Sequence, residues 1–298
     1  MKILVTGATG QVGWEVARSV SVLGHSVACD RSALDLSRPE TLGPALNKIR
    51  PEVIVNAAAY TAVDRAEEEV ELANRINGEA VGEIGRWARD HNALVIHYST
   101  DYVFDGTAAR SYTEQDTTCP LNAYGRSKLL GEQALASSES DYLTFRTTWV
   151  YASRGKNFLL TMLRLASERE TLRIVADQFG APTSARMIAD LTAHVIAKAT
   201  AERQAGTFES GLYNLTAEGR TSWHEFAKSI IDAARELTGD GRIKTTSVEP
   251  IPAAAYPTPA TRPANSSLDG SAFDRRFGLN RPQWQVSMMQ VLQDALSA

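Results

Sequence analysis

The sequence has few cysteines, no excess of positive charge and no long apolar run, and each shortage argues against a class of protein. Its two cysteines, Cys29 and Cys119, lie outside the close spacings typical of zinc sites or redox pairs. The formal net charge of −4 argues against a nucleic-acid-binding protein. No apolar run approaches the ~18 residues that span a bilayer, so no membrane partner is expected. The first predicted strand starts at Lys2, which leaves no room for a signal peptide, and we expect a cytoplasmic protein.

A glycine-rich turn follows that first strand. The apolar run 3–5 leads into Gly7, Gly10 and Gly13, and a stretch with helical apolar spacing comes next. Glycines in this pattern let the backbone turn tightly and approach a pyrophosphate. The first N–H groups of the helix can then bind the phosphate. Strand, turn and helix together predict a dinucleotide site, and a plain helix-start turn is the alternative.

An acidic residue closes the second predicted strand, residues 25–30. Asp30 is at the position that holds the adenosine ribose hydroxyls in such sites, although an aspartate in a simple turn is the alternative. Arg31 follows directly and could accept a 2′-phosphate. The sequence therefore leaves both NADH and NADPH open.

Strands and helices alternate over the first half of the chain. Further strands are predicted at 53–55, 94–96 and 143–150, and helices at 39–49, 67–90 and from Tyr124 to about Ala136. Five such alternations predict an α/β fold with a doubly wound parallel sheet. After Val150 the pattern loosens into helices at 158–169 and 185–198 and a helix that opens at 221–225.

A tyrosine and a lysine four residues apart carry the predicted chemistry. Tyr124 and Lys128 share one face of a helix, and an ammonium beside a phenol lowers the pKa of the phenol. Such a tyrosine can donate or accept a proton at neutral pH, although a surface pair is the alternative. Ser99 and Thr100 follow the fourth strand, where ligands bind in parallel sheets. His97, inside that strand, is expected to be a core histidine.

Together these motifs resemble the extended short-chain dehydrogenase/reductases. Finer matches resemble one branch, the dTDP-4-dehydrorhamnose reductases, and they run along the whole chain: 11–15, 56–64, 99–106, 146–151, 177–183 and 262–266. One departure is visible, because Tyr60 stands where many members carry histidine.

The resemblance implies a fold and a reaction. The fold would be a Rossmann-type NAD(P)-binding domain over residues 1–150 with a smaller C-terminal α/β nucleotide-sugar domain over 151–298. The reaction would be reduction of the 4-keto group of dTDP-4-dehydro-6-deoxy-L-mannose to dTDP-L-rhamnose. NADPH would be the cofactor, with NADH as the alternative.

The resemblance also implies roles for individual residues. Thr100, Tyr124 and Lys128 would be catalytic, and the sugar would face Thr100, Asp101 and Trp149, although Trp149 could equally be a core residue. The cofactor would contact Tyr124 and Lys128 together with Gly7, Gly10, Gln11, Val12, Gly13, Asp30, Asp35, Leu36, Ala59, Tyr60 and Thr61. Members of the family use a divalent cation, so we expect Mg²⁺ near Glu15, on the exposed side of the first helix at a homodimer contact.

Three other functions stay open at this point. Nucleotide-sugar 4,6-dehydratases share the tyrosine and lysine but need a further acid, and here Asp101 is followed by Tyr102 instead. No residue pattern separates reductases from 4-epimerases. A non-catalytic regulatory subunit, resembling that of methionine adenosyltransferase, would keep the fold and the nucleotide pocket. The intact set of Thr100, Tyr124 and Lys128 favours an enzyme.

Overall fold

The centre of the molecule is a six-stranded parallel sheet. The computed structural model describes residues 1–239 and 241–297. The sheet is built, in spatial order, from Gly211–Asn214, Asp141–Thr147, Leu94–Thr100, Val53–Asn56, Lys2–Thr6 and His25–Cys29. Every neighbouring pair of these strands is parallel. The predicted doubly wound sheet is therefore confirmed.

The strands and helices are numbered here in chain order. The strands are β1 Lys2–Thr6, β2 His25–Cys29, β3 Val53–Asn56, β4 Leu94–Thr100, β5 Asp141–Thr147, β6 Val150–Tyr151, β7 Thr171–Val175, β8 Phe179–Gly180, β9 Thr183–Ser184, β10 Gly211–Asn214, β11 Thr221–Ser222 and β12 Ser247–Ile251. The helices are α1 Gln11–Ser19, α2 Leu42–Ile49, α3 Val70–Asn74, α4 Ala80–Asp90, α5 Ala123–Ala136, α6 Phe158–Glu168, α7 Ala185–Ala205, α8 Trp223–Thr238, α9 Ser271–Phe277 and α10 Trp284–Ser297.

The inner strands are apolar on both faces because helices cover both sides of the sheet. All seven residues of β4 are buried, whereas the edge strand β2 is partly exposed. On one side, α1 and α7 pack over one hydrophobic cluster that also takes in α8 and α10. On the other side, α2, α4 and α5 cover a second cluster. Two helical layers around a parallel sheet leave the carboxyl ends of the strands open for a ligand.

The helix predicted at 67–90 is interrupted in the structure. A 3₁₀ turn covers Arg65–Glu67, helix α3 starts at Val70, and a π-helical turn at Arg75–Glu79 separates α3 from α4. Val70, the first residue of α3, is 38% exposed. The amide of Asn77 explains the π turn, because it bonds the backbone N–H and C=O of Tyr60 and the hydroxyl of Ser127. Such turns are frequent at functional sites.

The part of the chain beyond Val150 contributes to the central sheet as well as to smaller pairings. Strand β10 pairs with β5, and β7 pairs with β12 in a separate two-stranded sheet. The helix predicted to open at 221–225 does so, with Ser222 accepting from the N–H of Glu225. The division into domains 1–150 and 151–298 stays a prediction, and residues 240 and 298 lie outside the described residues.

Two smaller features complete the fold. His224, in the first turn of α8, has a side chain only 12% exposed, and its Nε2 lies 3.0 Å from the carbonyl oxygen of Val248. The strand predicted at 143–150 is two strands, broken at Trp149, whose φ is +46°. Within the described ranges, no helix is both long and apolar enough to cross a bilayer.

Candidate active site

A cavity of about 750 Å³ opens at the carboxyl ends of the central strands. Most of the residues predicted to bind cofactor or substrate line it: Gly7, Gly10, Gln11, Val12, Asp35, Leu36, Ala59, Tyr60, Thr61, Thr100, Tyr124, Lys128 and Trp149. Three predicted residues do not line it, namely Gly13, Asp30 and Asp101. The structure thus brings residues from six separate stretches of the chain to one cavity.

The glycine turn forms one end of this cavity. Gly7 has φ +64°, and a Cβ there would lie 2.8 Å from the backbone of Ala58. A Cβ on Gly13 would lie 2.2 Å from the carbonyl oxygen of Gly7, so this glycine closes the turn from inside α1. Gly10 caps α1 without any side-chain hydrogen bond. The first N–H groups of α1 are therefore free of a capping side chain, and this end of the cavity fits the phosphates of a dinucleotide.

The acidic residue expected at the ribose does not line the main cavity. Asp30 accepts hydrogen bonds from the N–H and hydroxyl of Ser32 and from the N–H of Ala33, which hold its pKa below the ordinary value. It lines a second opening, beside Trp14 and Arg154. The next residue, Arg31, lines the main cavity.

The side chains of Arg31 and Ser37 line the cavity next to Asp35. The guanidinium of Arg31 lies 3.3 Å from Asp35 Oδ1 and donates to Ser37 Oγ at 3.3 Å. Ser37 and Lys156 line the cavity but were not predicted. The position of Ser37, directly after the predicted Asp35–Leu36 region, is the signal that could have found it.

Helix α5 carries the tyrosine and the lysine into the opposite end. Asn122 caps α5 by accepting from the N–H of Gly125 at 2.8 Å. A Cβ on Gly125 would lie 2.2 Å from the carbonyl oxygen of Tyr102, so the first turn of α5 sits directly against the segment that follows β4. Thr100 ends β4, and the predicted catalytic residues Thr100, Tyr124 and Lys128 all line the same cavity.

The expected lowering of the tyrosine pKa by the lysine is not found. Burial raises the pKa of Tyr124, the Thr100 hydroxyl opposes that change, and the charge of Asp101 adds to it. The Nζ of Lys128 instead donates to the carbonyl oxygen of Tyr98 at 2.6 Å and lies 3.3 Å from His97 Nε2. Burial also lowers the pKa of Lys128 to about 8, opposed by Glu132.

Asp101 and Trp149, the two further residues predicted at the sugar, differ in their access to the cavity. Asp101 is 2% exposed, and burial raises its pKa to about 6 against the opposing effect of nearby hydroxyls. It accepts from Thr100 Oγ1 at 3.2 Å and so lies behind that residue. Trp149 lines the cavity, and its ring stacks on Trp223 with 3.5 Å between ring centroids.

Several hydroxyl groups around this end were not predicted as site residues. Ser99, Thr147 and Thr148 line the cavity, and their buried side-chain oxygens have no hydrogen-bond partner in the part of the chain that the structure describes. These three residues therefore border the cavity at the end that holds Thr100, Lys128 and Trp149. Thr147 and Thr148 follow β5, which is the sequence signal that could have found them.

The expectation of Mg²⁺ at Glu15 is not supported. Glu15 was expected on the exposed side of α1, but it is 4% exposed and pairs with Arg18 at 3.1 Å and Arg186 at 3.6 Å. The same arginines also pair with Asp190 and Asp294. Within residues 1–239 and 241–297 no group of three or more His, Cys, Asp or Glu is placed to hold a metal ion. Two guanidinium groups thus pair with all three carboxylates, and this cluster gives no support for a bound cation.

Comparison with known proteins gives one consistent family. The family model described as the RmlD substrate binding domain matches residues 1–297. A dTDP-4-dehydrorhamnose reductase from Burkholderia thailandensis is 56% identical over 297 residues, covering 100% of both chains.

Solved structures agree with that comparison. The crystal structure of a dTDP-4-dehydrorhamnose reductase from Clostridium acetobutylicum superposes with a TM-score of 0.89 at 34% identity, covering 100% of both chains. That of the Bacillus anthracis reductase in complex with NADP gives 0.87 at 31% identity, covering 98% of this chain and 99% of the other. The chain therefore belongs to the dTDP-4-dehydrorhamnose reductase family of NAD(P)H-dependent oxidoreductases.

Proposed function

We propose that this protein reduces the C4 ketone of dTDP-4-dehydro-6-deoxy-L-mannose to the alcohol of dTDP-L-rhamnose, with Thr100, Tyr124 and Lys128 as its catalytic residues. The observation that carries the proposal is that all three line one cavity whose other end is the glycine turn. A dinucleotide lying along this cavity would have its phosphates at α1 and its reactive end at α5. The names of the relatives, at up to 56% identity over the whole chain, support the substrate.

The chain's own contribution to the reaction is to hold the ketone and to supply a proton. A bound nicotinamide supplies the hydride that goes to C4. The hydroxyl of Thr100 donates to the ketone oxygen and stabilises the negative charge that develops on it. Tyr124 gives its phenolic proton to that oxygen, so that one hydride and one proton turn the ketone into an alcohol. A phenol whose pKa is raised by burial is fully protonated at neutral pH, as a proton donor must be.

Lys128 has two tasks in this proposal. Its Nζ is fully buried next to Tyr124 on one face of α5, where it can hold the nicotinamide ribose and return a proton to the tyrosine after each turnover. A pKa of about 8 suits the second task, because both the ammonium and the amine are accessible near neutral pH.

For the cofactor we propose NADPH in preference to NADH. Arg31 and Ser37 line the cavity where an adenosine 2′-phosphate would lie, whereas Asp30 is engaged in its own turn. Guanidinium and hydroxyl groups favour a phosphate, and an uncommitted carboxylate would favour the free ribose. The complex of the Bacillus anthracis relative with NADP supports this choice.

The substrate end of the cavity is the part that would receive the sugar. Trp149 presents an aromatic surface that suits the apolar face of a 6-deoxy sugar. Asp101 would act on the sugar by holding Thr100, whose single hydroxyl proton points to Asp101 Oδ1 in the free protein and would turn to the ketone oxygen when the sugar binds. The dTDP-sugar is the proposed small-molecule partner. The homodimer and the cytoplasmic location stay predictions.

A coupled assay tests the function. dTDP-glucose, the two upstream enzymes and this protein are incubated with NADPH or NADH, nucleotide oxidation is followed by absorbance, and the sugar product is identified by NMR. We expect stoichiometric oxidation and dTDP-L-rhamnose. A 4-epimerase would change the sugar without net oxidation, and a regulatory subunit would bind nucleotide without turnover, so either result would contradict the proposal.

The role of Tyr124 is tested in the same assay. Tyr124→Phe removes the proton donor and keeps the ring, so turnover should fall by roughly 10²–10⁴-fold, the range for losing a general acid. The affinity for NADPH, measured by fluorescence titration, should be nearly unchanged. The control is Tyr142→Phe, the same change on a half-buried tyrosine of β5 outside the cavity. A Tyr124→Phe protein with most of its rate would show that another group gives the proton.

A further inference from the structure

The lysine at the end of the cavity rests on a histidine that the proposed chemistry does not use. Lys128 is 2% exposed and His97 is 0% exposed. Among the described residues, the polar contacts of Lys128 Nζ are the carbonyl oxygen of Tyr98 at 2.6 Å and His97 Nε2 at 3.3 Å. A buried lysine usually faces a carboxylate, so an imidazole in that position calls for an explanation.

A chain of hydrogen bonds from the glycine turn fixes the other nitrogen of this imidazole. The N–H of Ala58 donates to Thr6 Oγ1 at 3.1 Å, and the Thr6 hydroxyl lies 2.7 Å from Asn56 Oδ1. That distance is typical of a hydroxyl that donates to a carbonyl oxygen. The amide nitrogen of Asn56 is thereby directed at His97 Nδ1, 3.2 Å away. Since an amide nitrogen can only donate, His97 Nδ1 must accept.

The tautomer of His97 follows from this chain. Burial, together with the nearby charge of Lys128, holds the pKa of His97 well below its usual value, so the ring is neutral and carries one proton. With Nδ1 accepting, that proton is on Nε2, which faces Lys128 Nζ. A neutral amine can accept this N–H through its lone pair. An ammonium has no lone pair, so its own N–H groups would face the N–H of His97 with no acceptor between them.

We propose that Thr6 and Asn56 lock His97 in the Nε2–H tautomer, so that His97 acts as a positioning residue that stabilises the uncharged amine of Lys128. The proposal rests on the proposed role of Lys128 in returning a proton to Tyr124. It gives that step a structural basis, because a lysine that stays an ammonium cannot pass its proton on. The carbonyl oxygen of Tyr98 accepts a hydrogen bond from the ammonium form of Lys128, and the Nε2–H of His97 donates one to the amine form. Each form of Lys128 therefore has one partner.

Other titratable and charged groups lie on the elements around the pair, and of these Glu132 raises the pKa of Lys128. They are Tyr124 and Glu132 on α5, Tyr98 on β4, Asp101 and Tyr102 directly after β4, and Arg146 on β5. Arg146 makes a two-pronged pair with Glu132, at 2.9 and 2.6 Å, which weakens the pull of that carboxylate on Lys128. The phenol of Tyr98 is engaged with Thr192 Oγ1 at 2.8 Å.

Nitrogen NMR of the histidines tests the tautomer without using activity. The chain has five histidines, and the signals of His97 are identified by their loss in His97→Gln. In the protein labelled with ¹⁵N-histidine, we expect His97 to show a protonated Nε2 and a bare Nδ1 across the neutral pH range. A protonated Nδ1, or a ring that becomes cationic between pH 6 and 8, would overturn the proposal. Because this readout needs no sugar substrate, it fails or succeeds independently of the proposed reaction.

Two matched variants at Thr6 extend the test to the chain of bonds. Thr6→Val removes the hydroxyl at nearly constant shape, and Thr6→Ser keeps the hydroxyl and removes the methyl. We expect a mixture of His97 tautomers in the first and the single Nε2–H form in the second. Equal spectra for the two variants would show that the hydroxyl does not hold Asn56, and would overturn the proposed lock.

A third variant is designed to reverse the tautomer of His97, and its effect is measured on the titration of Lys128. In Asn56→Asp a carboxylate accepts from His97 Nδ1–H, which leaves Nε2 bare to accept from the lysine ammonium. The alkaline limb of the kcat–pH profile should then move upward by about one pH unit, which corresponds to an about tenfold higher proton affinity of Lys128. In the His97→Gln background the same change adds the charge without the tautomer switch, so most of the shift should vanish. A shift of equal size in both backgrounds would show that charge alone acts and would overturn the proposal.

Discussion

At the scale of single residues, burial favours the uncharged form of every ionisable group at the catalytic end of the cavity. It raises the pKa of Asp101 and Tyr124 and lowers that of Lys128 and His97. Burial from water strengthens the hydrogen bonds made to a developing alkoxide. This arrangement suits hydride addition to a neutral ketone.

The buried carboxylate behind Thr100 should cost stability at neutral pH. The pKa of Asp101 rises from 3.8 to about 6 on folding, so the native state binds the proton more tightly than the unfolded state. Stability from this group is present at low pH and is lost as the pH rises from about 4 through about 6. Asp101→Asn should therefore be more stable than the wild type at pH 7.5, on the order of 2–3 kcal/mol, and show almost no gain at pH 4.

Urea unfolding at the two pH values measures this difference. The control is Asp105→Asn, since the Tyr112 hydroxyl, which donates to Asp105 at 2.7 Å, holds the pKa of Asp105 below its ordinary value. That variant should lose stability at pH 7.5 where Asp101→Asn gains it. A pH-independent difference for Asp101→Asn would mean that the carboxyl does not titrate with a raised pKa.

Residue identities were predictable where the chemistry is local in sequence. The spacing of Tyr124 and Lys128 places both on one face of α5, and both line the cavity. The partners of Lys128 were not predictable, because His97 and the carbonyl of Tyr98 lie about 30 residues away and reach it only through the pairing of α5 with β4. For the same reason the burial of Glu15 by Arg186, on a distant helix, left no local signal.

At the scale of secondary-structure elements, close backbone contacts set the positions of α1 and α5. A Cβ on Gly131 would lie 2.1 Å from the carbonyl oxygen of Asn77, so α5 is seated against the π-helical turn. Most element positions followed from apolar periodicity, including the end of α5 at Ala136. The π-helical turn did not, because it depends on a side chain, Asn77, that bonds to a loop 17 residues earlier.

The N-terminus of α1 provides a test of the dinucleotide site. A Cβ on Gly10 would lie 3.2 Å from the carbonyl oxygen of Gly7, which the turn can accommodate, and the two branches of valine would enter the cavity. Gly10→Val should weaken NADPH binding by at least about tenfold while the protein stays folded. Fluorescence titration measures the affinity, and circular dichroism the fold.

The matched control for this variant is Gly43→Val in the first turn of α2. A Cβ there meets no atom within 4 Å, and the glycine is outside the cavity. Its NADPH affinity should equal that of the wild type. If Gly10→Val also bound NADPH with unchanged affinity, the phosphates would have to lie elsewhere.

At the scale of the whole molecule, the two parts of the chain share one core. The larger hydrophobic cluster joins Ile3, Val16 and Phe145 to Val195 on α7 and Phe226 on α8. In addition, β10 covers the edge of β5, and α7 packs on α1. The sequence predicted the change of pattern after Val150, but it could not show that later segments return to the first sheet, since such a return depends on long-range pairing.

This shared core predicts that residues 1–150 do not fold alone. Without residues 151–298, β5 would become an edge strand and the fully buried Leu143 and Phe145 would lose cover, and each such side chain contributes about 1.5–3 kcal/mol. The full chain should unfold in a single calorimetric transition. The 1–150 fragment should show no cooperative transition and no NADPH binding, whereas a 1–217 fragment, which adds α7 and β10, should regain slow amide exchange in β5. A 1–150 fragment that melts cooperatively and binds NADPH would show that residue 150 is a true domain boundary. The later segments would then not be needed for the sheet to fold.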